Sequence, residues 1–275
     1  MKQFTIDKEL CIKCGICAKD CPVGVITMDD YPVMKREGCF ECQHCLAVCP
    51  TGALSILGRN PDDSTPLEGN LPTADQIKNL IKGRRSVRFY KDENLEPEVL
   101  KELLETAWHA PTGVNAQAVQ FTVISDKETM KAFREEVYEK LEDILPKEAP
   151  EGDHTMQFLC YSVMNRKETG GDIIFRNAPH LVVTSTPKTV PCSEADTHIA
   201  LAYFELLAQS MGIGTLWNGM TRFTLTIVPE LAPLLGIPKD HIIGYAMVFG
   251  KPDVKYQRTV ERGPAIIKEV SLLED

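Results

Sequence analysis

The 275-residue chain has no long hydrophobic run and no excess of positive charge. Its longest apolar stretch, around His241 to Phe249, is too short for the roughly 18 residues that a membrane-spanning helix needs, and it predicts a strand. A net charge of −9 makes the chain a poor partner for nucleic acid or for an anionic membrane surface. We therefore expect neither a nucleic-acid nor a membrane partner.

Two further signals are missing. Residues 1–10 are mixed polar with no apolar run, so we expect no export leader and a soluble protein in the cytoplasm. In that reducing compartment disulfides are disfavoured. No GxGxxG pattern follows a predicted strand, which argues against a separate dinucleotide-binding domain.

Cysteine, in contrast, is concentrated in one region, because eight of the ten cysteines fall between Cys11 and Cys49. They form two copies of one pattern, CIKCGICAKDCP and CFECQHCLAVCP, with a proline after each fourth cysteine. This is the spacing of bacterial ferredoxins with 4Fe-4S clusters, in which the fourth cysteine of each copy binds the other cluster. The prediction is therefore two clusters with crossed ligands, one held by Cys11, Cys14, Cys17 and Cys49 and the other by Cys39, Cys42, Cys45 and Cys21.

Structural zinc is the main alternative for these cysteines, but it favours paired cysteines with a longer gap between the pairs. His44 lies between two of the cysteines and is interpreted as a surface residue or as one that contacts the ligands from outside, because four thiolates already complete each set. Cys160 lies in an apolar stretch and is expected in the core. Cys192 is left without an assigned role.

The composition changes twice along the chain. Residues 1–57 are predicted to form a small ferredoxin-like domain, and residues 58–72, with three prolines and two glycines, a semi-rigid linker. Residues 73–275 mix helices and strands without strict βαβ alternation, which favours an α+β domain. Its predicted helices cover 73–83, 96–110, 127–145, 195–211 and 226–235, the fourth of them buried, and its predicted strands cover 120–125, 181–185 and 241–250.

Three dispersed segments of this larger domain suggest a ligand. Residues 84–88 bring three cations and a hydroxyl together, which suits a phosphate. Residues 115–117 supply two side-chain amides that can hydrogen-bond a heteroaromatic ring. Glycines within 212–219 let the backbone approach a flat ligand closely. Taken singly, these segments also fit a solvated charged face, an ordinary turn and a helix end.

The order of the segments is more specific. An RRSxR segment, then APxxxNxQ, then an apolar helix ending in GxGTxWxG, then a strand ending in GKP with KYQR after it resembles the FMN-dependent nitroreductase family. The resemblance covers roughly residues 71–267. Together with the cysteine repeats, the whole chain resembles a ferredoxin-nitroreductase fusion.

The resemblance implies a homodimer with FMN at the subunit interface and the helix from Ala195 in the dimer core. No catalytic side chain is nominated, because the cofactor carries the chemistry. The flavin phosphate and ribityl chain would be held by Arg84, Arg85, Ser86, Arg88, Lys255 and Arg258. The loop of the other subunit would contribute Pro111, Thr112, Gly113 and Asn115, and the amide of Gln117 is a further candidate for binding the cofactor. The isoalloxazine ring would be lined by Trp217, Asn218 and Gly219.

The functional hypothesis joins the two kinds of site. The clusters would relay single electrons between an external donor, ferredoxin or NAD(P)H, and the flavin. The flavin would then reduce a small nitroaromatic, quinone-like or unsaturated substrate. Two alternatives stay open, an electron-transfer module that serves a protein partner and a protein that remodels its flavin.

Overall fold

The computed structural model describes residues 3–146 and 149–272. The chain divides into two compact units. The first unit comprises Met1–Pro72 together with Thr112–Gln117, and the second comprises Thr73–Pro111 and Ala118–Asp275. The predicted linker, residues 58–72, thus groups with the first unit.

The first unit consists of short elements arranged in two similar halves. Two antiparallel strand pairs flank two one-turn helices. The strands β1 and β4 pair with each other, as do β2 and β3, and the bounds are β1 Phe4–Ile6, α1 Ile16–Lys19, β2 Ile26–Met28, β3 Pro32–Met34, α2 His44–Ala47 and β4 Leu54–Ile56.

The two halves also repeat their backbone conformation. In each half the residues two, four and thirteen positions after the first cysteine have positive φ angles. These residues are Lys13, Gly15 and Gly24 in the first half, and Glu41, Gln43 and Gly52 in the second. The left-handed conformation is readily adopted by glycine and costs other residues about 1–2 kcal/mol. The sequence repeat is therefore a repeat of the turns that wrap the chain around its cysteines.

The protein core of this unit is small. Its fully buried members are Cys17, Val25, Ile26, Cys45, Leu46, Leu54 and Ile56, and two of these are cysteines of the repeats. A core of this size stabilises a unit of about 70 residues only marginally, so additional cross-links from bound clusters would contribute to its folding.

The second unit is built on one four-stranded antiparallel sheet with the strand order β5-β6-β8-β7. The bounds are β5 Gln120–Ile124, β6 His180–Pro187, β7 Gly214–Trp217 and β8 His241–Gly250. The antiparallel sheet confirms the predicted α+β class, and the predicted strand over 241–250 has the observed bounds.

Helices cover both faces of this sheet. One face packs on α4 and α7, and the opposite face on α5, α6, α8 and α9. No helix in the described ranges is long and apolar enough to cross a membrane. The helix bounds are α3 Ala74–Gly83, α4 Pro97–Ala107, α5 Lys127–Ile144, α6 His154–Thr169, α7 Ser193–Ser210, α8 Gly219–Ile227 and α9 Leu231–Leu234.

The predicted single helix over 226–235 is wrong. Helix α8 begins seven residues earlier, because the Asn218 side chain caps it by accepting a hydrogen bond from Thr221 N at 3.0 Å. It ends before Pro229, which disfavours helical backbone at the preceding residue. The short helix α9 follows separately.

His180 makes the stability of the second unit depend on pH. Its ring is fully buried, its Nε2 accepts a hydrogen bond from Leu95 N at 3.0 Å, and burial lowers its pKa to about 4 from the ordinary 6.5. Between these values the unfolded chain binds the extra proton, so stability falls as pH falls, by at most about 1.4 kcal/mol per pH unit.

We predict that the thermal midpoint of the iron-sulfur protein, measured anaerobically, falls more steeply between pH 6.5 and 5 in the wild type than in His180→Gln. The difference should amount to roughly 4–8 °C for about 2 kcal/mol. The exposed His109 is the control, because His109→Gln should keep the wild-type slope. Equal slopes in wild type and His180→Gln would contradict the assignment.

Candidate functional site

Two cavities in the first unit are lined by cysteines from both repeats. Three cysteines of one repeat meet the fourth cysteine of the other in each cavity, which is the crossed arrangement. The cysteines lining the first are Cys11, Cys14, Cys17 and Cys49, and those lining the second are Cys21, Cys39, Cys42 and Cys45.

The cavity walls fit a 4Fe-4S cluster. Besides the thiols they are mainly apolar, with Ile6 and Leu54 at the first cavity and Val25 and Ile56 at the second. In the part of the chain that the structure describes, no three His, Cys, Asp or Glu side chains converge as a single-ion site requires. The thiols surround a space instead, as the ligands of a cluster do.

Backbone N–H groups reach two of these sulfurs. Ala53 N donates to Cys49 Sγ at 3.3 Å, and Glu41 N donates to Cys39 Sγ at 3.4 Å. Hydrogen bonds to the ligand sulfurs are one of the factors that set a cluster's reduction potential. Burial raises the pKa of Cys45 to about 11 and also raises that of Cys17. These thiols are therefore protonated without iron, and binding a cluster would release their protons.

His44 and the two cysteines outside the repeats, Cys160 and Cys192, have different surroundings. His44 Nδ1 is 3.3 Å from Asp20 Oδ2 and both side chains are about half exposed, which agrees with a surface role. The sequence context predicts Cys160 in the core, but the residue is only partly buried in the second unit, where its thiol donates to Pro146 O at 3.5 Å. Cys192 is exposed.

The segment RRSVR lies along the free edge of β7. Ser86 forms a parallel bridge with Thr215, and Val87 N donates to Thr215 O at 2.9 Å. A Cβ atom at Gly214 would lie 2.8 Å from the Val87 side chain, so this glycine is needed for the segment to pack on the strand. The backbone of the segment that carries the cationic residues is thereby fixed to the sheet at Ser86 and Val87.

Arg84 is anchored by a buried carboxylate. Its Nη1 lies 3.1 Å from Glu205 Oε1 on α7, and the Thr215 hydroxyl donates to the same oxygen at 3.3 Å. The Glu205 side chain is only 9% exposed. Arg88 is exposed and donates to Ser86 O at 3.1 Å. Arg84 is thus the positioned member of the segment, and Arg88 is held only locally.

A cationic cavity of about 360 Å³ lies beside this segment. Arg85 is its best ligand candidate, because its Nε is buried without a hydrogen-bond partner while its Nη2 donates to Lys82 O at 2.7 Å. Among the described residues of the lining, Glu261 is the one acid, and it pairs with Lys82. The excess of cations and the unsatisfied Nε suit an anion such as a phosphate. The lining consists of Ile81, Lys82, Arg84, Arg85, Val260, Glu261, Arg262 and Gly263.

The C-terminal segment contributes to this cavity through Arg262, which the sequence reasoning missed together with Lys82. The predicted phosphate ligands Lys255 and Arg258 are exposed and lie outside its lining. The available signal was weak, since Arg262 is simply the next cation after Arg258 in a segment without helix or strand.

The predicted ring-binding residues lie at the junction of β7 and α8. Trp217 packs edge-on against Tyr245 with ring centroids 5.3 Å apart, and the ring centroids of His198 and Tyr245 are 5.5 Å apart. A Cβ atom at Gly219 would lie 2.7 Å from the Tyr245 hydroxyl, so the glycine leaves room for this aromatic cluster. Gly219 also opens α8, where the first N–H groups have no intrahelical acceptor.

The side chain of Asn218, the residue between Trp217 and Gly219, forms hydrogen bonds within the protein. Its Nδ2 donates to Ile174 O at 2.8 Å, and its Oδ1 accepts from Thr221 N. The side chain is buried and both of its polar atoms are hydrogen-bonded within the protein, so it fixes the junction.

The residues predicted to bind FMN are divided between the two units. The loop Thr112–Gln117 groups with the first unit, where Asn115 Nδ2 donates to the carbonyl oxygen of Phe40 in the same unit at 2.7 Å. Within the loop, Thr112 Oγ1 accepts from Gln117 N at 3.0 Å. Pro111 is exposed and belongs to the second unit.

Fold and sites together define an iron-sulfur protein with a second, α+β unit that carries a cationic cavity. Residues 81–251 match the model of the nitroreductase family, and residues 10–53 match that of the 4Fe-4S dicluster domain. The chain therefore belongs to the nitroreductase family and carries an N-terminal 4Fe-4S dicluster domain. The resemblance found in the sequence is confirmed.

Among known proteins, the FMN reductase [NAD(P)H] of Bacillus subtilis is 29% identical over 177 residues, 64% of this chain. The match spans 65% of that relative's length, which is less than two thirds. The iodotyrosine deiodinase of Thermotoga neapolitana is 25% identical over 177 residues, 64% of this chain and 89% of its own length.

Two solved structures show the same fold. A nitroreductase with bound FMN from Bacteroides fragilis has a TM-score of 0.55 at 22% identity, covering 70% of this chain and 99% of its own. A nitroreductase with bound FMN from Desulfitobacterium hafniense has a TM-score of 0.54 at 24% identity, covering 72% and 100%.

The crossed cavities predict different outcomes for two double substitutions. Cys11→Ser with Cys49→Ser damages one cavity and should leave about four of roughly eight iron atoms per chain. Cys11→Ser with Cys21→Ser damages both cavities and should leave fewer than about four. Iron and sulfide analysis after anaerobic purification distinguishes them. The reverse ranking would show that each repeat binds its own cluster.

Proposed function

We propose that this protein is an FMN-dependent oxidoreductase whose two 4Fe-4S clusters exchange electrons with the flavin. Its substrate would be a small nitroaromatic, quinone-like or unsaturated molecule. The observation that carries the proposal is the presence, in one chain of the nitroreductase family, of two four-cysteine cavities and a cationic cavity. The FMN named or bound in the relatives supports the choice of cofactor.

The cationic cavity would hold the FMN phosphate through Arg84, Arg85 and Arg262. Arg85 supports this role because its buried Nε lacks a partner, and Arg84 because Glu205 fixes its guanidinium. The junction at Trp217 and Gly219 would orient the ring. When bound, FMN supplies both one-electron and two-electron chemistry, and the side chains contribute binding and orientation.

The clusters would serve as a one-electron path, because 4Fe-4S clusters change charge one electron at a time. The cysteine sets hold them, and the N–H groups of Ala53 and Glu41 would tune them through the ligand sulfurs. Reduced ferredoxin or NAD(P)H is the proposed electron source. We retain the cytoplasm as the proposed location, since it supplies such donors.

A homodimer is part of this proposal. Helix α7 presents a partly exposed apolar stripe with Ile199, Tyr203 and Leu206 at helical spacing, and Tyr203 is 45% exposed. The C-terminal segment exposes further apolar side chains, including Ile266 and Leu272. Apolar surface of this extent favours burial against a second copy of the chain. The loop 111–117 of that copy would complete the flavin site.

The phosphate assignment predicts that Arg85→Ala and Arg262→Ala each weaken FMN binding by roughly 10–100-fold, because each removes a charge-assisted hydrogen bond of about 1.5–3 kcal/mol. Lys255→Ala and Arg258→Ala provide the comparison and should change the Kd less. Flavin fluorescence during titration of FMN into flavin-depleted protein measures all four. A larger effect at Lys255 or Arg258 would move the phosphate site away from the cavity.

The electron route is tested with the variant carrying Cys11→Ser and Cys49→Ser. We expect flavin reduction by reduced ferredoxin to slow by at least about tenfold, because one redox centre of the path is lost. Reduction of the flavin by a small two-electron donor such as NADPH, where it occurs, should be unchanged. Stopped-flow absorbance of the flavin band gives both rates.

Unchanged reduction by ferredoxin would contradict the relay. Wild-type protein that accepts electrons, reduces no small molecule and is reoxidised by a protein partner would favour the electron-transfer module. A cleaved flavin after aerobic incubation would favour flavin remodelling.

A further inference from the structure

A buried carboxylate organises the segment between α6 and β6. Asp172 is 6% exposed, and its Oδ1 and Oδ2 accept hydrogen bonds from Phe175 N at 2.9 Å and Asn177 N at 2.8 Å. Arg134 Nε lies 2.9 Å from Oδ2, and the Tyr138 hydroxyl donates to Oδ1 at 2.9 Å. Two side chains of α5 therefore bind the same carboxylate that folds the segment.

Tyr138 and Arg134 extend this network to the backbone. The Tyr138 hydroxyl accepts from Ile173 N and Ile174 N, both at 3.2 Å, and Arg134 Nη2 donates to Ala178 O at 3.1 Å. Burial, and then the charge of Asp172, raise the pKa of Tyr138, so the phenol keeps its proton. Both ends of the segment are thereby attached to α5.

The segment is held in a conformation with a local cost. Arg176 and Asn177 have φ angles of 58° and 52°. Left-handed backbone costs a non-glycine residue about 1–2 kcal/mol, and it persists where the surrounding structure enforces it. The hydrogen bonds and the ion pair around Asp172 hold Arg176 and Asn177 in this conformation. The conformation of the segment therefore has a role besides packing.

The segment is joined to the start of α8 through one side chain. Asn218 Nδ2 donates to Ile174 O at 2.8 Å, its Oδ1 caps Thr221 N, and its backbone N donates to Ala246 O at 2.8 Å. The position of the Ile174 carbonyl, which Tyr138 and Asp172 set, therefore sets the first turn of α8. Gly219 is the first residue of that turn.

We propose that Asp172 is a positioning residue for the junction of β7 and α8. It acts through Tyr138, the Ile174 carbonyl and Asn218, and so determines where the first N–H groups of α8 meet the flavin ring. Only the last step rests on the proposed function. The position of the junction itself is a property of the protein without ligand.

The test compares two network variants with a matched control in the full iron-sulfur-loaded chain. Asp172→Asn removes the negative charge of the carboxylate. Tyr138→Phe removes the phenol hydroxyl and keeps the ion pair between Asp172 and Arg134. Leu159→Ala is the control, because Leu159 is fully buried in the same core on α6 and its truncation costs about 2–5 kcal/mol. All proteins are measured well below the lowest thermal midpoint.

Hydrogen exchange by mass spectrometry, with flavin removed, should be about tenfold faster for peptides covering Gly219–Thr221 in both network variants, which corresponds to about 1.4 kcal/mol of local opening. The Kd for added FMN should rise by a similar factor. Leu159→Ala should lower the thermal midpoint and leave both quantities at the wild-type values.

Equal exchange in Leu159→Ala and the network variants, or unchanged exchange in Tyr138→Phe, would overturn the proposal. Tyr138→Phe decides the question where Asp172→Asn does not fold. Absence of FMN binding by the wild type would refute the proposed function instead, and the exchange measurement would still decide the role of Asp172.

Discussion

Each iron-sulfur cavity takes its fourth cysteine from the other repeat, and the first unit depends on this constraint. Cys49 closes the first cavity and Cys21 the second, so neither half of the repeat contains a complete site. The buried core is small and includes Cys17 and Cys45 themselves. The free energy of cluster binding is then also free energy of folding, and the redox centres and the fold of this unit are one system.

This part of the molecule could be predicted because its pattern is short and repeated. The spacing within each copy of the cysteine motif fixes which thiols meet, and a general rule assigns the fourth. The sequence even marks the turns, since Gly15, Gly24 and Gly52 occupy left-handed positions. Gln43 occupies the position equivalent to Gly15 without being glycine, so its left-handed turn is indicated only by its place in the repeated cysteine motif. Local patterns likewise predicted β8, from a short apolar run, and α5, from an amphipathic helical pattern.

In the second unit, the sequence did not predict the features that depend on contacts between residues far apart in the chain. Asn218-Gly219 reads as a turn sequence, yet it opens α8, because the side chain of Asn218 is fixed by the carbonyl of Ile174, far away in the chain. Arg262 joins Arg85 at one cavity although nothing near it in the sequence marks it. Cations are common on surfaces, so only the fold distinguishes those that line a cavity from those, such as Lys255, that do not.

Two buried carboxylates support the two ends of the proposed flavin site from opposite faces of the sheet. Glu205 on α7 holds Arg84 at the phosphate end, and Asp172 holds the segment that binds Asn218 at the ring end. A buried ion pair contributes little net stability compared with apolar packing, because desolvation offsets the attraction. Its benefit here is geometry, since a paired carboxylate fixes the direction of every group it binds. The proposed site is therefore fixed at both ends by buried carboxylates, one on α7 and one in the segment between α6 and β6, and such fixed groups would orient a cofactor that performs the reaction.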